Sequence, residues 1–343
     1  MSTVYITGHR NPDLDSLCAA ISYARLKNLT DPENEYVPVH CSPVSDGVRK
    51  QMEVMELEVP MYKHDVRPKV RDVMMQPGEH FQISQPIFDL VQTYSTDKPP
   101  VVPIFDGEEF KGLLSVDDIT GWFLKDNRQE IPVYKFSVEN IQRVIDADVL
   151  HRGESGEIKG SLLVGAASFE NFCRFVDEYP ECIVVMGYRK EHFEHAVSKQ
   201  VPAIILTVGA EDIDVDLSDY KGTVLTTKLG TAETLRRVRM AEPLETMMEI
   251  GTETVSADDL FTDVKNSLIN TRTRGLAVMD NGEFAGFVSR RCFLETPRYK
   301  VIMVDHNEPA QSIDGIEVAD VVEIIDHHRL DAVSTRMPIF IDA

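Results

Sequence analysis

The 343-residue chain is 43% apolar, enough to bury two or three domain cores, and it carries a formal charge of −22. Such a surface repels nucleic-acid phosphates, and the basic clusters Arg236, Arg237, Arg239 and Arg290, Arg291 are too small to form a nucleic-acid track. No apolar run is long enough to span a bilayer and no signal-peptide pattern opens the chain, while five scattered cysteines without CxxC spacing argue against a disulfide framework, so a reducing cytoplasm is expected.

In chain order, Val4-Tyr5-Ile6-Thr7 is a β-rich run followed by polar turn residues from Gly8 to Asp15. Ser16 is placed to cap a helix whose residues Leu17, Ala20, Ile21, Tyr23, Ala24 and Leu26 form an apolar stripe. Val37-Pro38-Val39-His40 reads as a second strand and 48–55 as a second helix, so the chain opens in α/β alternation. The pattern changes near Val66-Arg67-Pro68. The strand Val101-Val102-Pro103-Ile104-Phe105, the turn Asp106-Gly107 and the tail Gly112-Leu113-Leu114-Ser115-Val116-Asp117-Asp118-Ile119 make a layout that recurs. Its second copy is Leu276-Ala277-Val278-Met279, Asp280-Asn281-Gly282 and Gly286-Phe287-Val288-Ser289-Arg290-Arg291-Cys292-Phe293, which indicates an internal duplication. Between the copies, Ser161-Leu162-Leu163-Val164-Gly165, Cys182-Ile183-Val184-Val185-Met186 and Ala203-Ile204-Ile205-Leu206-Thr207 are expected to be buried parallel strands. After the second copy, Val301-Ile302-Met303-Val304 and Val321-Val322-Glu323-Ile324-Ile325 are again strand runs.

Three of these strands end in metal-ligand residue types: His9-Arg10-Asn11-Pro12-Asp13-Leu14-Asp15, Asp305-His306-Asn307-Glu308 and Asp326-His327-His328. In open α/β sheets, ligands bind outside the carboxyl ends of the strands, so three such ends can meet in one crevice. Asp13 and Asp15 flank a single residue, so their carboxylates can reach two neighbouring ions. Imidazole nitrogen mixed with carboxylate oxygen favours Mn²⁺, Co²⁺, Fe²⁺ or Zn²⁺ over Mg²⁺ alone. Two such ions roughly 3.5–4 Å apart can clamp a phosphoryl group for in-line attack by water.

Gly8-His9-Arg10-Asn11-Pro12-Asp13-Leu14-Asp15-Ser16, Val304-Asp305-His306-Asn307-Glu308 and Ile325-Asp326-His327-His328-Arg329 resemble the family II inorganic pyrophosphatases of the DHH phosphoesterase superfamily. The resemblance implies an α/β fold in which a DHH-type parallel-sheet catalytic domain, incomplete here, occupies 1–65 and 298–343. The insert resembles that of a subgroup with two CBS modules, at 66–125 and 246–297, flanking a DRTGG-like α/β domain at 126–245; Gly187-Tyr188-Arg189 is the nearest remnant of the literal DRTGG string. By the same resemblance, His9 and Asp13 hold one metal ion, Asp15 and His327 the other, and Asp305 bridges both. His328 faces the substrate phosphate and Asp326 orients a histidine, while His306 and Asn307 are expected either to stand behind the ligands or to be structural. The cofactors implied are two Mn²⁺ or Co²⁺ ions, with Mg²⁺ accompanying pyrophosphate. Adenine nucleotides (AMP, ADP or ATP) are expected at the CBS pair, where a hydroxyl meets phosphate and a carboxylate meets ribose. The matching residues are Ser115 and Asp118 in the first copy and Ser289 in the second, where Cys292 replaces the carboxylate; Lys98, Arg274 and Arg290 are phosphate candidates. The subgroup is typically dimeric, so a homodimer is expected.

The family also uses a later aspartate ligand and a second, C-terminal domain whose cations close over the pyrophosphate. Only 15 residues follow His328 (343 − 328), and Asp331 and Asp342 come too early to match that aspartate. The chain is therefore expected to be a truncated piece with little or no hydrolytic activity of its own. Two other readings fit the same residues: a DHH phosphoesterase acting on oligonucleotides or cyclic dinucleotides, and a non-catalytic adenine-nucleotide sensor.

Overall fold

The computed structural model describes residues 2–124, 131–209, 213–248, 252–270, 273–328 and 340–341. They fall into two compact units, one of Met1–Met75, Val255–Thr273 and Val278–Ala343, the other of Gln76–Thr254 and Arg274–Ala277. Among the described residues, no helix is long and apolar enough to cross a membrane.

The first unit is built on a six-stranded sheet ordered Phe340–Ile341, Asp320–Asp326, Lys300–Val304, Ser2–Thr7, Asn34–His40, Met61–Tyr62, with every pairing parallel. Strands at the two ends of the sequence are thus neighbours at its centre, Ile6 lying opposite Ile302. Alternate side chains explain the unbroken apolar runs. Val4, Ile6, Ile302 and Val304 pack on one face against Ala20 and Ala24. Val301, Met303 and Ile324 pack on the other with Val66, Ile313 and Ile316. A sheet covered on both faces has no polar side to alternate with, and each fully buried Val or Ile contributes roughly 1.5–3 kcal/mol.

The helix after the first strand runs Leu14–Thr30, and its N-cap is Asp13, not Ser16 as the pattern suggested. The Asp13 carboxylate accepts the Ser16 N–H at 2.9 Å, which satisfies one free donor of the first turn. Ser16 lies inside the helix, fully buried, with its hydroxyl turned back to accept the His9 N–H at 3.1 Å. Leu26, counted in the apolar stripe, is exposed.

The second repeat forms a three-stranded sheet of Thr254–Ser256, Gly275–Asp280 and Glu283–Ser289 with helix Phe261–Asn270. Asn281 and Gly282, at φ 51° and 88°, make the left-handed two-residue hairpin that this residue pair favours. The segment 66–75 is added to this repeat through the antiparallel bridges Lys69–Leu260 and Met75–Phe287.

In the second unit, Tyr134–Ser137, Glu157–Val164, Cys182–Gly187, Ala203–Thr207, Thr223–Thr227 and Ala147–His151 form a six-stranded sheet in that order. Its four central strands are parallel and both edges antiparallel, with Ile183 and Val185 buried on one face and Val184 and Met186 on the other. The first repeat, with strands Phe81–Gln82, Val102–Asp106 and Glu109–Leu114, encloses Ile87, Leu90, Ile104 and Leu114. Leu244 and Met247, from beyond the middle domain, complete that core.

Candidate metal centre

Ser2–Thr7, Lys300–Val304 and Asp320–Asp326 lie side by side and point the same way, so the loops that leave their carboxyl ends share one rim of the sheet. Asp305, the residue directly after Val304, has φ 59°. Left-handed backbone is uncommon for a non-glycine residue, although aspartate tolerates it better than most. It turns the chain sharply while the Asp305 N–H donates to Ile325 O at 2.9 Å. The side chain of Asp305 is only 6% exposed, and its two oxygens face different partners. Oδ2 lies 3.4 Å from His9 Nε2, and Oδ1 lies 3.1 Å from His327 Nε2 and 3.8 Å from His328 Nδ1.

Among the described residues two donor groups result, His9 with Asp13 and Asp305, and Asp305 with His327 and His328, the donor atoms within each group lying within 4.8 Å of one another. Asp305 is common to both. Asp13 Oδ1 is 3.8 Å from His9 Nε2, and Asp15, in the first turn of the helix, has Oδ2 3.9 Å from His327 Nε2. The floor is buried and the walls are open, with His327, Asp13 and Asp15 each more than half exposed.

The ring nitrogens are ordered by the residues behind them. His9 Nδ1 donates to Arg10 O at 2.8 Å, which leaves Nε2 as the lone-pair nitrogen on the Asp305 side. His328 Nδ1 donates to Asp326 Oδ1 at 2.7 Å, which makes Nε2 the lone-pair nitrogen of the neutral ring. Asp326 is buried and saturated: Oδ1 also accepts the His327 and His328 N–H groups at 2.8 and 3.1 Å, and Oδ2 accepts from Asn307 Nδ2. Burial alone would raise the Asp326 pKa, but the bonds from Asn307 and His328 outweigh it and hold the carboxyl below its ordinary value. The same bond to Asp326 raises the pKa of His328. Asp305 behaves in the opposite way. Burial first, then the negative charges of Asp15 and Asp13, push its pKa up. Such a carboxylate is under-neutralised by its own side chains, and imidazole nitrogens mixed with carboxylate oxygens suit a divalent ion such as Mn²⁺, Co²⁺, Fe²⁺ or Zn²⁺. His306 is 3% exposed, with Nδ1 on Val304 O at 2.9 Å and Nε2 lacking a partner among the described residues. Burial lowers its pKa to about 4, so it packs as a neutral ring.

Asp331 and Asp342 lie outside the described residues. In the first repeat, Asp118 Oδ2 accepts both the N–H and the hydroxyl of Ser115 at 2.6 Å, at the start of helix Val116–Leu124. Arg274 forks onto the neighbouring Asp117, with Nη2 to Oδ1 at 2.8 Å. Lys98 sits at φ 48° just before the strand Val102–Asp106. In the second repeat, Cys292 Sγ accepts the Ser289 N–H at 3.3 Å, so the thiol takes the backbone-capping role that Asp118 has in the first copy. Arg290, next in the chain, is exposed.

The family description "DHH family, N-terminal domain" matches residues 3–342. The chain belongs to the DHH family. This DHH chain is 31% identical over 349 residues to the cobalt-dependent inorganic pyrophosphatase of Clostridium perfringens, covering 98% of itself and 62% of that protein. It is 24% identical over 352 residues to a probable manganese-dependent inorganic pyrophosphatase of Thermotoga maritima, covering 99% of itself and 63% of the relative. It therefore spans somewhat less than two thirds of the length of these curated relatives. The crystal structure of the CBS and DRTGG domains of the Clostridium perfringens pyrophosphatase regulatory region, complexed with the activator diadenosine tetraphosphate, matches 65% of the chain and all of that structure. The TM-score is 0.56 at 22% identity, so the DHH sheet is interrupted by an insert of CBS and DRTGG fold.

Proposed function

We propose that the DHH sheet holds two divalent cations of the Mn²⁺ or Co²⁺ class and that the protein hydrolyses inorganic pyrophosphate, with its insert answering to adenine nucleotides. The observation that carries this reading is the Asp305 carboxylate, whose two oxygens face the imidazoles of His9 and His327 at 3.4 and 3.1 Å. His9, Asp13 and Asp305 would hold one ion; Asp15, Asp305 and His327 the other. Paired cations there would supply the positive charge that neutralises phosphate oxygens and acidifies an attacking water. The chain's own residues set the stage for that chemistry. Asp305 turns two opposed oxygens into the centre of the site. Asp326 keeps a proton on His328 Nδ1, so that Nε2 is the nitrogen presented to a phosphate. The buried floor excludes water behind the donors while the open walls admit a small anion. The relatives' names, which carry pyrophosphatase together with cobalt or manganese, support the substrate and the metal class.

In the insert, Ser115 and Asp118 are read as the phosphate and ribose contacts of a nucleotide, with Lys98 and Arg274 as further phosphate contacts. Ser289 and Arg290 are read as phosphate contacts of the second copy, where Cys292 offers no carboxylate to a ribose. The neighbour bound to diadenosine tetraphosphate supports adenine nucleotides as the class. Side-by-side pairing of two copies is read as the assembly.

The test is phosphate release from pyrophosphate with Mn²⁺ or Co²⁺, run on this chain and on a chain of the relatives' full length, beside a panel of short oligonucleotides and cyclic dinucleotides. Faster hydrolysis of pyrophosphate than of any panel member by the longer chain is expected. Preference for a panel member, or no metal-dependent hydrolysis by either chain, would sink the reading.

A further inference from the structure

His9 is held from behind by a residue that the metal reading does not use. The ring's Nδ1–H is taken by the Arg10 carbonyl. Arg10 is in turn pinned to one short segment by three donors. Its N–H donates to Gln311 O at 2.7 Å, its Nε to Ser312 O at 2.7 Å, and its Nη2 to Asp314 Oδ1. Ser312 is fully buried, and its neighbour Ile313 packs in the core beside Val301 and Met303 of the sheet.

The backbone of Asp314 then grips the point at which the chain leaves the six-stranded sheet. Its N–H donates to His64 O at 3.0 Å, and its carbonyl accepts the Val66 N–H at 2.8 Å. Between them, Asp65 takes the Arg67 N–H at 2.8 Å and the Arg67 Nη2 at 2.7 Å. Gly315, at φ 81°, passes so close that a Cβ there would stand 2.8 Å from the Arg67 nitrogen. Directly beyond Arg67 the chain joins the second repeat, through Val70 N–H to Asp259 O at 3.0 Å and Lys69 Nζ to Asp258 at 2.9 Å. All these residues belong to the first unit. The path from His9 to the second repeat thus runs through hydrogen bonds and close backbone contacts as far as Arg67 and then along the short covalent stretch to Lys69 and Val70.

We propose that Arg10 and Asp314 are positioning residues for the metal donor His9, and that they couple it to the Asp65–Arg67 exit strap, so that metal binding and displacement of the second repeat bias each other. The Arg10 and Asp314 side chains are 46% and 50% exposed, so the ion pair adds little stability. What it contributes is orientation, because a shift at Arg67 reaches the carbonyl that sets the His9 ring. Coupling of this kind is reciprocal: whatever ligand moves the strap changes metal affinity, and metal stiffens the strap by the same free energy.

The inference rests on reading His9 as a metal donor. It is tested with Mn²⁺ alone on the wild-type chain, Asp314→Asn and Arg10→Lys, following Mn²⁺ affinity by calorimetry and amide hydrogen exchange of the 64–67 and 311–315 segments. Wild type is expected to exchange more slowly in both segments when Mn²⁺ is added. Both variants are expected to bind Mn²⁺ on the order of 10-fold more weakly, to melt within a few degrees of wild type, and at saturating Mn²⁺ to lose the slowing. Wild-type affinity in both variants, or undiminished slowing in saturated Asp314→Asn, would overturn the coupling. So would Mn²⁺ binding to wild type without any slowing, whereas no Mn²⁺ binding at all would overturn the metal reading itself. The variants remove opposite partners, so failure of one to fold leaves the other to decide.

Discussion

Asp326 Oδ1 and His328 Nδ1 are 2.7 Å apart, and the carboxylate is buried while the ring is more than half exposed. The bond fixes which nitrogen carries the proton and which faces outward, and it raises the ring's affinity for a second proton. Asp326→Asn removes the negative charge while keeping the shape. The His328 pKa, followed by NMR titration of the metal-free chain, is expected to fall from its raised value. Hydrolysis in an active full-length chain is expected to drop roughly 10–100-fold, the range for losing an outer partner of a metal site. An unchanged His328 titration would show that the bond does not form in solution.

Asp305 is shared by both donor groups, so its loss damages both. Asp305→Asn leaves one oxygen where two faced His9 and His327. Mn²⁺ affinity is expected to fall by more than the roughly 10–100-fold that an outer partner costs, and the stoichiometry from equilibrium dialysis is expected to fall below two ions per chain. Aspartate at 13 or 15, each more than half exposed, is expected to matter to one ion only. Equal loss of both ions from Asp15→Asn would contradict the division into two groups.

Gly8 is required by contact, not by backbone angle. A Cβ on it would come 1.8 Å from Ser16 Oγ, the atom that accepts the His9 N–H. Gly8→Ala must push Ser16 aside, so it is expected to cost about 1–3 kcal/mol in urea unfolding and to weaken Mn²⁺ binding by displacing His9. Adding Ser16→Ala removes the clashing hydroxyl and is expected to recover part of the stability but not the metal affinity, since the His9 N–H then has no acceptor. Full recovery of metal affinity in the double variant would show that the hydroxyl does not position His9.

Much of this site could be read in advance, because apolar runs that end abruptly in acid and histidine, as at Val304-Asp305 and Ile325-Asp326, leave few folds to choose from. Parallel strands buried on both faces put their polar residues at the ends, and adjacent ends gather the donors. What could not be read depends on partners remote in sequence. Asp13 and Ser16 are both good caps on local grounds, and the choice fell to Asp13 because His9 recruits the Ser16 hydroxyl. Nothing near Arg274 in the chain announces that its guanidinium pairs with Asp117, 157 positions away. Arg10 and Asp314 are ordinary surface charges in a one-dimensional reading, separated by 304 positions. Composition gave no hint that 66–75 would add to the second repeat or Leu244 and Met247 to the first, because both are short segments whose apolar residues fit any core.

Glu242 gives the second unit a pH-dependent stability that is independent of the metal centre. It is 8% exposed, and burial raises its pKa even though the Lys135 N–H donates to it at 3.3 Å and Trp122 and Arg239 favour its charge. A carboxyl whose folded pKa is raised holds its proton more tightly in the folded state than in the unfolded one, whose value is near 4.5. Its contribution to stability is therefore most favourable below that unfolded value and is lost as pH rises through the higher folded value. Glu242→Gln keeps an acceptor for the Lys135 N–H and removes the ionisation. Relative to wild type, the variant is expected to gain stability between pH 5 and pH 8, with a rise in the second unit's Tm on the order of a degree or two at pH 8. At pH 4 the two proteins are expected to melt together. Scanning calorimetry at these three pH values decides it: a Gln variant that is less stable at pH 8, or a difference that does not change with pH, would show that Glu242 is ionised in the fold without cost.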